Sequence, residues 1–249
     1  SVKYPARFFD NNVAGAISVL TAAQAANVES FVFSSTCAVY GAPQYTPLDE
    51  AHPFAPMSPY GRSKLIVDQM LAELSAYTPF RYISLRYFNA AGADPDGDIG
   101  ERHQPESHAL PLAIHTALGR RSHFSIFGQD YDTADGTAVR DYIHVNDLAA
   151  AHVAAINALT TDRSSQTFNL GAGAGTSVRE LVNTVKRLSE REFEVREEAR
   201  RPGDPPILVA NNFKVRAGLN WAPRFSFEDT VRTAIAWHQE HEPRIFGAA

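Results

Sequence analysis

A chain of 249 residues, 44% apolar and 20% charged, has room for one large or two small globular domains. Its net charge of −5, with Arg120-Arg121 and Arg200-Arg201 as the densest basic points, excludes a nucleic-acid footprint. No apolar run approaches the roughly 18 residues of a membrane span. The single Cys37 excludes a disulfide framework and implies a reducing, cytoplasmic setting.

Residues 4–27 place Phe8, Val13, Ile17, Leu20 and Ala23 at helical spacing and predict a first helix. Phe31-Val32-Phe33-Ser34-Ser35 reads as a short apolar strand ending in hydroxyl residues, with Thr36 behind them. Ser58 suits a helix cap and Pro59 a first turn, so a second helix is predicted over 59–77, with Leu65, Val67, Met70, Leu71 and Leu74 as its apolar positions. A second strand, Tyr82-Ile83-Ser84-Leu85-Arg86, runs into Tyr87-Phe88-Asn89. This strand–helix alternation is that of a parallel sheet.

Residues 87–107 are turn-rich, and Asp94-Pro95-Asp96-Gly97-Asp98 cannot hold a regular element. A smaller lobe is predicted from there: a helix at 109–119, a strand at 124–127, then a polar loop. A helix at 146–159 and a strand at 166–170 should return to the main sheet. Thr176, Ser177 and Glu180 read as a capping box opening a helix at 177–189. A strand near 193–196 and a last helix at 226–241 complete the chain.

The chemistry concentrates in Ser58-Pro59-Tyr60-Gly61-Arg62-Ser63-Lys64. Residues four apart share a helix face, which puts the Lys64 ammonium within reach of the Tyr60 hydroxyl. A free tyrosine has a pKa of about 10, and a fixed cation lowers it toward a base able to deprotonate a sugar or alcohol hydroxyl. The pair alone is a common surface pattern. Two strand ends converging on it, at Thr36 and Asn89, make a site, because ligands of open α/β sheets bind at the carboxyl ends of strands.

Metal and dinucleotide patterns are weaker. Asp94, Asp96, Asp98 and Glu101 invite a calcium-loop reading, but Gly97 falls at position four and Pro105 at twelve, where glycine at six and glutamate at twelve are needed. His144 and His152 lack a ligand-spaced third partner, so no metal is expected. The Gly171–Gly175 run has Thr176 where a dinucleotide turn needs its third glycine. Cys37 has no basic neighbour in sequence and reads as a buried small residue.

Taken together, Asp10-Asn11-Asn12-Val13, Ser34-Ser35-Thr36, Val39-Tyr40-Gly41, Ser58-Pro59-Tyr60-Gly61 with Ser63-Lys64, and Arg86-Tyr87-Phe88-Asn89 resemble the extended short-chain dehydrogenase/reductases, and closely the UDP-glucose 4-epimerases. Ile126-Phe127-Gly128, Asp135-Gly136-Thr137, Val139-Arg140-Asp141-Tyr142-Ile143-His144-Val145, Asn169-Leu170-Gly171-Ala172-Gly173 and Arg201-Pro202-Gly203-Asp204 extend the resemblance over essentially the whole chain.

The resemblance implies an α/β fold: the C-terminal part of a doubly wound, Rossmann-like parallel sheet plus a smaller α/β substrate-binding lobe. Residues 1–89, joined by 145–172, would belong to the NAD-binding domain; residues 90–144 and 173–249 would bind the UDP-sugar. The implied reaction is NAD-dependent interconversion of UDP-glucose and UDP-galactose, by oxidation to a 4-keto sugar and re-reduction on either face. Tyr60, Lys64 and Thr36 would be catalytic. Asn11, Ser34, Ser35, Tyr60, Lys64 and Tyr87 would contact NAD. Thr36, Tyr60, Asn89, His108, Ser125, Phe127, Arg140, Arg201 and Asp204 would contact the UDP-sugar. His108 stands where many relatives have asparagine, and Ser125 and Phe127 serve plain strand packing nearly as well as a uracil pocket. Substrates with an N-acetylhexosamine or a pentose stay open, since the medium-sized Leu208 at the position that limits room for an acetamido group decides neither way. A 4,6-dehydratase is rejected because Cys37-Ala38 follows Thr36 in place of an acidic pair.

The family forms homodimers through the segments corresponding to 4–27 and 59–77, which would put Met70 and Leu74 at the seam. It also opens with a strand and a Gly-rich turn that do not precede Ser1. The expectation is therefore the C-terminal part of a longer enzyme, inactive by itself.

Overall fold

The computed structural model describes residues 1–201 and 203–246, without the side chains of 242–246. The first helical segment consists of α1 (Pro5–Phe9), a π-helical turn at Asp10–Ala14, and α2 (Gly15–Ala25). Strand β1 (Ser30–Thr36) ends in a 3₁₀ turn at Cys37–Val39. Helix α3 (Pro59–Tyr77) begins where Ser58 caps it: the Ser58 hydroxyl accepts the Gly61 N–H at 3.1 Å, and Pro59 sits in the first turn where no N–H is needed. Then come β2 (Arg81–Tyr87), β3 (Asn89–Ala91), α4 (Ala109–Ala117), β4 (Phe124–Phe127), β5 (Val139–Arg140), β6 (Tyr142–His144) and α5 (Val145–Thr161). The remainder is β7 (Gln166–Leu170), β8 (Thr176–Ser177), α6 (Val178–Ser189), β9 (Val195–Glu198), β10 (Ile207–Leu208), α7 (Phe213–Leu219) and α8 (Phe227–Phe246).

The chain divides into two compact units. Unit 1 comprises Ser1–Phe88, Ala149–Leu170 and Ala210–Ala222; unit 2 comprises Asn89–Leu148, Gly171–Val209 and Pro223–Ala249. Residues 210–222, which sequence reasoning grouped with the second domain, pack in unit 1: the Asn211 N–H donates to the Leu48 carbonyl (2.8 Å), and Gly218 of α7 lies against Phe168 so closely that a Cβ would sit 2.7 Å from its ring.

Unit 1 is built on a parallel sheet in the order β1-β2-β7. Its register aligns Thr36 with Tyr87 and Tyr87 with Leu170, so three strands end together and present Thr36 and Tyr87 at one edge. Side chains alternate across the sheet. On one face Phe31 and Phe33 of β1 and Tyr82 of β2 meet Leu20 of α2 and Val67 and Leu71 of α3, with Met70 and Leu74 packed against the same cluster. Full burial of Val67 and Leu71 is worth roughly 1.5–3 kcal/mol each. On the other face Ile83, Leu85, Phe168 and Leu170 are buried. Ile17, on the predicted apolar stripe of the first helix, is 48% exposed; Leu20 is the buried member of α2.

Unit 2 has a core of its own, in which Leu110, Ala113 and Ile114 of α4, Phe124 and Ile126 of β4, Leu181, Val182 and Val185 of α6, and Val231 and Ile235 of α8 pack together. The Ser177 hydroxyl accepts the Glu180 N–H at 3.0 Å and starts α6 as its capping residues predict. Strand pairs β4–β9 and β3–β6 are parallel, and β5 is flanked by β10 and β8. Strand β9 lies two residues beyond the predicted 193–196, and α8 extends past 241. The pairings at β3, β5, β6, β8 and β10 are two or three residues long, too short to print a period on the sequence. Among the described residues, no helix is long and apolar enough to cross a membrane.

Candidate active site

In unit 1 the site grows out of one tight contact. A Cβ on Gly61 would lie 2.5 Å from the Ala38 carbonyl oxygen, so only glycine lets the first turn of α3 sit against the turn that follows Thr36. This brings Tyr60 to the end of β1. The buried Thr36 hydroxyl accepts the Ala38 N–H at 3.2 Å and also engages the Tyr60 hydroxyl. The same oxygen thus serves the backbone turn and the Tyr60 phenol. Burial pushes the Tyr60 phenol above its ordinary value, and the hydrogen-bonding interaction with Thr36 pulls it back. Phe8 of α1 stands edge-on to the Tyr60 ring, with centroids 6.5 Å apart.

Lys64 reaches back to the end of β1. Its ammonium donates to the Ser34 carbonyl at 3.0 Å and lies 4.9 Å over the Phe33 ring. Burial lowers the Lys64 pKa, with Asp68 opposing. The tyrosine and lysine share a helix face as their spacing requires, but the lysine bonds the strand backbone. Tyr87 lies at the sheet edge, partly exposed, 6.5 Å from the His152 ring.

The other expected cofactor contacts are distributed differently. Strand alternation turns the Ser34 hydroxyl to His152 Nε2 of α5 (3.1 Å) and the Ser35 hydroxyl to Asp68 of α3 (3.1 Å). Ser35 is 1% exposed, so its side chain serves the interior, not a ligand surface. Asn11 lies exposed on the π-helical turn and donates to its neighbour Asn12 (3.0 Å), while Asn12 donates to Ser63 (2.9 Å) and ties that turn to α3.

Sequence reasoning missed a buried polar network beneath these residues. Asp68, two turns beyond Tyr60 on α3, accepts from Ser35, from Ser84 (2.6 Å) and from Arg86 Nε (2.9 Å). Arg86 also donates to the Tyr40 hydroxyl (3.1 Å), which donates to Asn169 Oδ1 (2.6 Å). Asn169 donates in turn to the Leu48 carbonyl (3.0 Å) and takes Glu50 on its own N–H (2.7 Å). Burial drives the Tyr40 phenol up to about 12, against the pull of Arg86. The four-residue steps Tyr60, Lys64, Asp68 were the available signal.

In unit 2, Arg140 and Asp204 form an ion pair, and Arg140 also donates to the Val139 carbonyl (2.8 Å). The Arg140 side chain is 11% exposed. The β5–β10 register sets Leu208 beside Arg140. The exposed Arg201 lays its guanidinium 3.9 Å from the Phe127 ring centre, a cation–π contact that leaves the fork's edges for an anion. The Ser125 hydroxyl donates to Glu198 (2.6 Å). Asn89 starts β3 and donates its N–H to the Asp141 carbonyl (3.0 Å). The Asp141 carboxylate, fully buried, accepts the N–H groups of Ala172 (2.6 Å) and Gly173 (3.1 Å) and so fixes the glycine-rich turn.

His108 is held by acids. Its Nδ1 lies 2.5 Å from Glu101 and 3.1 Å from Glu106, and the hydrogen bond with Glu101 is the chief reason its pKa rises. Against the upward push of burial, the N–H groups of His108 and Ser107 hold Glu106 below the usual carboxylate range.

Residues 1–171 match the profile of the NAD dependent epimerase/dehydratase family. Over 238 residues the chain is 55% identical to a UDP-glucose 4-epimerase of Rhizobium leguminosarum bv. trifolii, covering 96% of this chain and 73% of the relative. Among solved structures, a UDP-glucose 4-epimerase from Brucella ovis in complex with NAD superposes with a TM-score of 0.92 at 44% identity, over 95% of this chain and 74% of that one. A UDP-glucose-4-epimerase from Stenotrophomonas maltophila, with bound NAD and formylated UDP-arabinopyranose, gives 0.95 at 39% identity, over 98% and 73%.

Proposed function

We propose that this chain, which belongs to the NAD dependent epimerase/dehydratase family, supplies the proton-transfer and nucleotide-holding residues of an enzyme that interconverts UDP-glucose and UDP-galactose by inverting the sugar at C4. The convergence of Thr36 and Tyr60 at the carboxyl edge of the unit 1 sheet carries the reading.

The donor set at that edge fits a nicotinamide nucleotide. The half-buried Lys64 ammonium, anchored on the Ser34 carbonyl, retains donors for a ribose diol, and Tyr87 offers an aromatic wall. NAD, when bound, supplies the hydride acceptor and, in its oxidised form, a positive charge that favours a phenolate. Tyr60 takes the proton of the sugar 4-hydroxyl, with the Thr36 oxygen relaying and orienting it. Loss of that proton together with hydride leaves a 4-keto sugar. For re-reduction on the opposite face, Tyr60 would give the proton back to the C4 oxygen.

Arg140 and Arg201 hold the diphosphate, and Asp204 accepts from a ribose hydroxyl, exchanging its pairing with Arg140 for substrate contacts. Asn89 and Phe127 complete the grip on the nucleotide. A firmly held nucleotide and a loosely held sugar are what a two-faced reduction requires.

The test is Tyr60→Phe in the enzyme with the family's Gly-rich strand and turn present, assayed by conversion of UDP-galactose to UDP-glucose. The expected loss is about 10²–10⁴-fold in turnover, the range of general acid–base catalysis, with the fold intact by circular dichroism. Near-normal turnover would refute the assignment. Parallel assays with UDP-N-acetylglucosamine and a UDP-pentose determine the sugar scope.

A further inference from the structure

Glu101, His103, Glu106 and His108 lie within eight residues of the loop ahead of α4 and offer one ligand atom each, all four within 4.8 Å of one another. His108 Nδ1 is 2.5 Å from Glu101 Oε1 and 3.1 Å from Glu106 Oε1, and His103 Nδ1 is 3.5 Å from that same Glu106 oxygen. A tetrahedral ion with bonds of about 2.0–2.1 Å keeps its ligand atoms roughly 3.4 Å apart, which falls inside this spread of separations. Side-chain rotations moving the atoms by about 1 Å would close the set on an ion.

The loop has the support that ligands of a metal need. Glu106 is fixed by the N–H groups of Ser107 (2.6 Å) and His108 (2.7 Å), both on Oε1, so Oε2 is the oxygen it offers an ion. Glu101 is fixed through its backbone, whose carbonyl accepts Trp237 Nε1–H (3.1 Å). Gly100 is pressed against the same indole, where a Cβ would come within 2.1 Å of the ring. The imidazoles lie 4.9 Å apart, centre to centre, and their side chains are 46% and 56% exposed, which leaves an ion a path in.

We propose that Glu101, His103, Glu106 and His108 form a binding site for one divalent ion of the zinc class. Two imidazole nitrogens with two carboxylates select Zn²⁺ or Co²⁺ over Ca²⁺ and Mg²⁺, which require all-oxygen shells with more ligands. None of the chemistry assigned to Tyr60 passes through the site, which shares His108 with the UDP-sugar contacts that the family resemblance implies.

Titration of the tag-free protein with Zn²⁺ by calorimetry, and with Co²⁺ by visible absorption, tests it. The expected result is one ion per chain and the intense visible band of four-coordinate Co²⁺. His103→Gln and Glu106→Gln should each weaken binding at least tenfold. His103→Gln removes an exposed ring, so its metal-free thermal midpoint should match that of the parent and separate ligand loss from misfolding. No stoichiometric binding, binding unchanged in both variants, or Ca²⁺ bound as tightly as Zn²⁺ would each overturn the proposal.

Discussion

His238 makes the stability of unit 2 depend on pH in a calculable way. It sits on α8 at 2% exposure, with the His115 ring edge-on at 5.0 Å and its carbonyl accepting Arg120 Nη2–H at 2.9 Å. Burial, reinforced by His115 and Arg120 and only weakly opposed by Glu106, lowers its pKa from 6.5 to about 4. The folded protein therefore keeps His238 neutral where the unfolded chain protonates it. Above about pH 6.5 both states are neutral and this group's stabilisation is whole. As pH falls from 6.5 the unfolded state alone gains a proton, and stability drops until the folded state also protonates near pH 4. A separation of about 2.5 units at about 1.36 kcal/mol each gives a loss of about 3 kcal/mol between pH 7 and pH 4. That is a large share of a typical total of roughly 5–15 kcal/mol. His238→Gln removes the titration while keeping a polar side chain. Urea denaturation of both proteins at intervals from pH 7 to pH 4 isolates the effect, because carboxylates elsewhere, and His115, titrate in both. The parent should lose about 3 kcal/mol relative to the variant. Parallel stability curves would refute the reasoning.

Three further outcomes follow from unit 1. Asp68→Ala strands Arg86 in the interior and should cost about 3–5 kcal/mol by chemical denaturation, the range for breaking a buried pair; a loss below 1 kcal/mol would mean the network is dispensable. Thr36→Val removes the hydrogen-bonding interaction that holds the Tyr60 phenol down, so the rising limb of the pH–rate profile should move to higher pH, and Thr36→Ser should restore it; an unmoved profile would leave Thr36 a purely local cap. Gly61→Ala forces a methyl within 2.5 Å of the Ala38 carbonyl and should destabilise by about 1–3 kcal/mol while lowering turnover, and a variant as stable and active as the parent would contradict the close approach of α3 to the Thr36 turn.

Much of the fold was legible because its signals are local. Ser58 and Pro59 start α3 at the residue their chemistry predicts, and a continuous apolar stripe carries it to Tyr77. The hydroxyl-ended strands at Ser30–Thr36 and Arg81–Tyr87 and the cap at Ser177 needed no tertiary information either. Membership in the epimerase family could be read from its motifs.

What the residues at those positions touch was not legible. Lys64 bonds the Ser34 backbone because strand and helix run side by side, a matter of packing distance and not of the four-residue step. Ser35 points inward to Asp68 because alternation in β1, fixed by which face α3 covers, sets it opposite Ser34. Arg140 meets Asp204 across 64 residues of chain, and Asp68 of α3 meets Arg86 of β2 where the helix packs on the sheet. Of the glutamates that capture His108, Glu101 was weighed only in the calcium-loop pattern and Glu106 gave no signal. Helix caps and apolar periods act over a few residues and print themselves on the sequence. A buried charge must find its partner wherever the chain brings one, so these pairings exist only once the fold has formed.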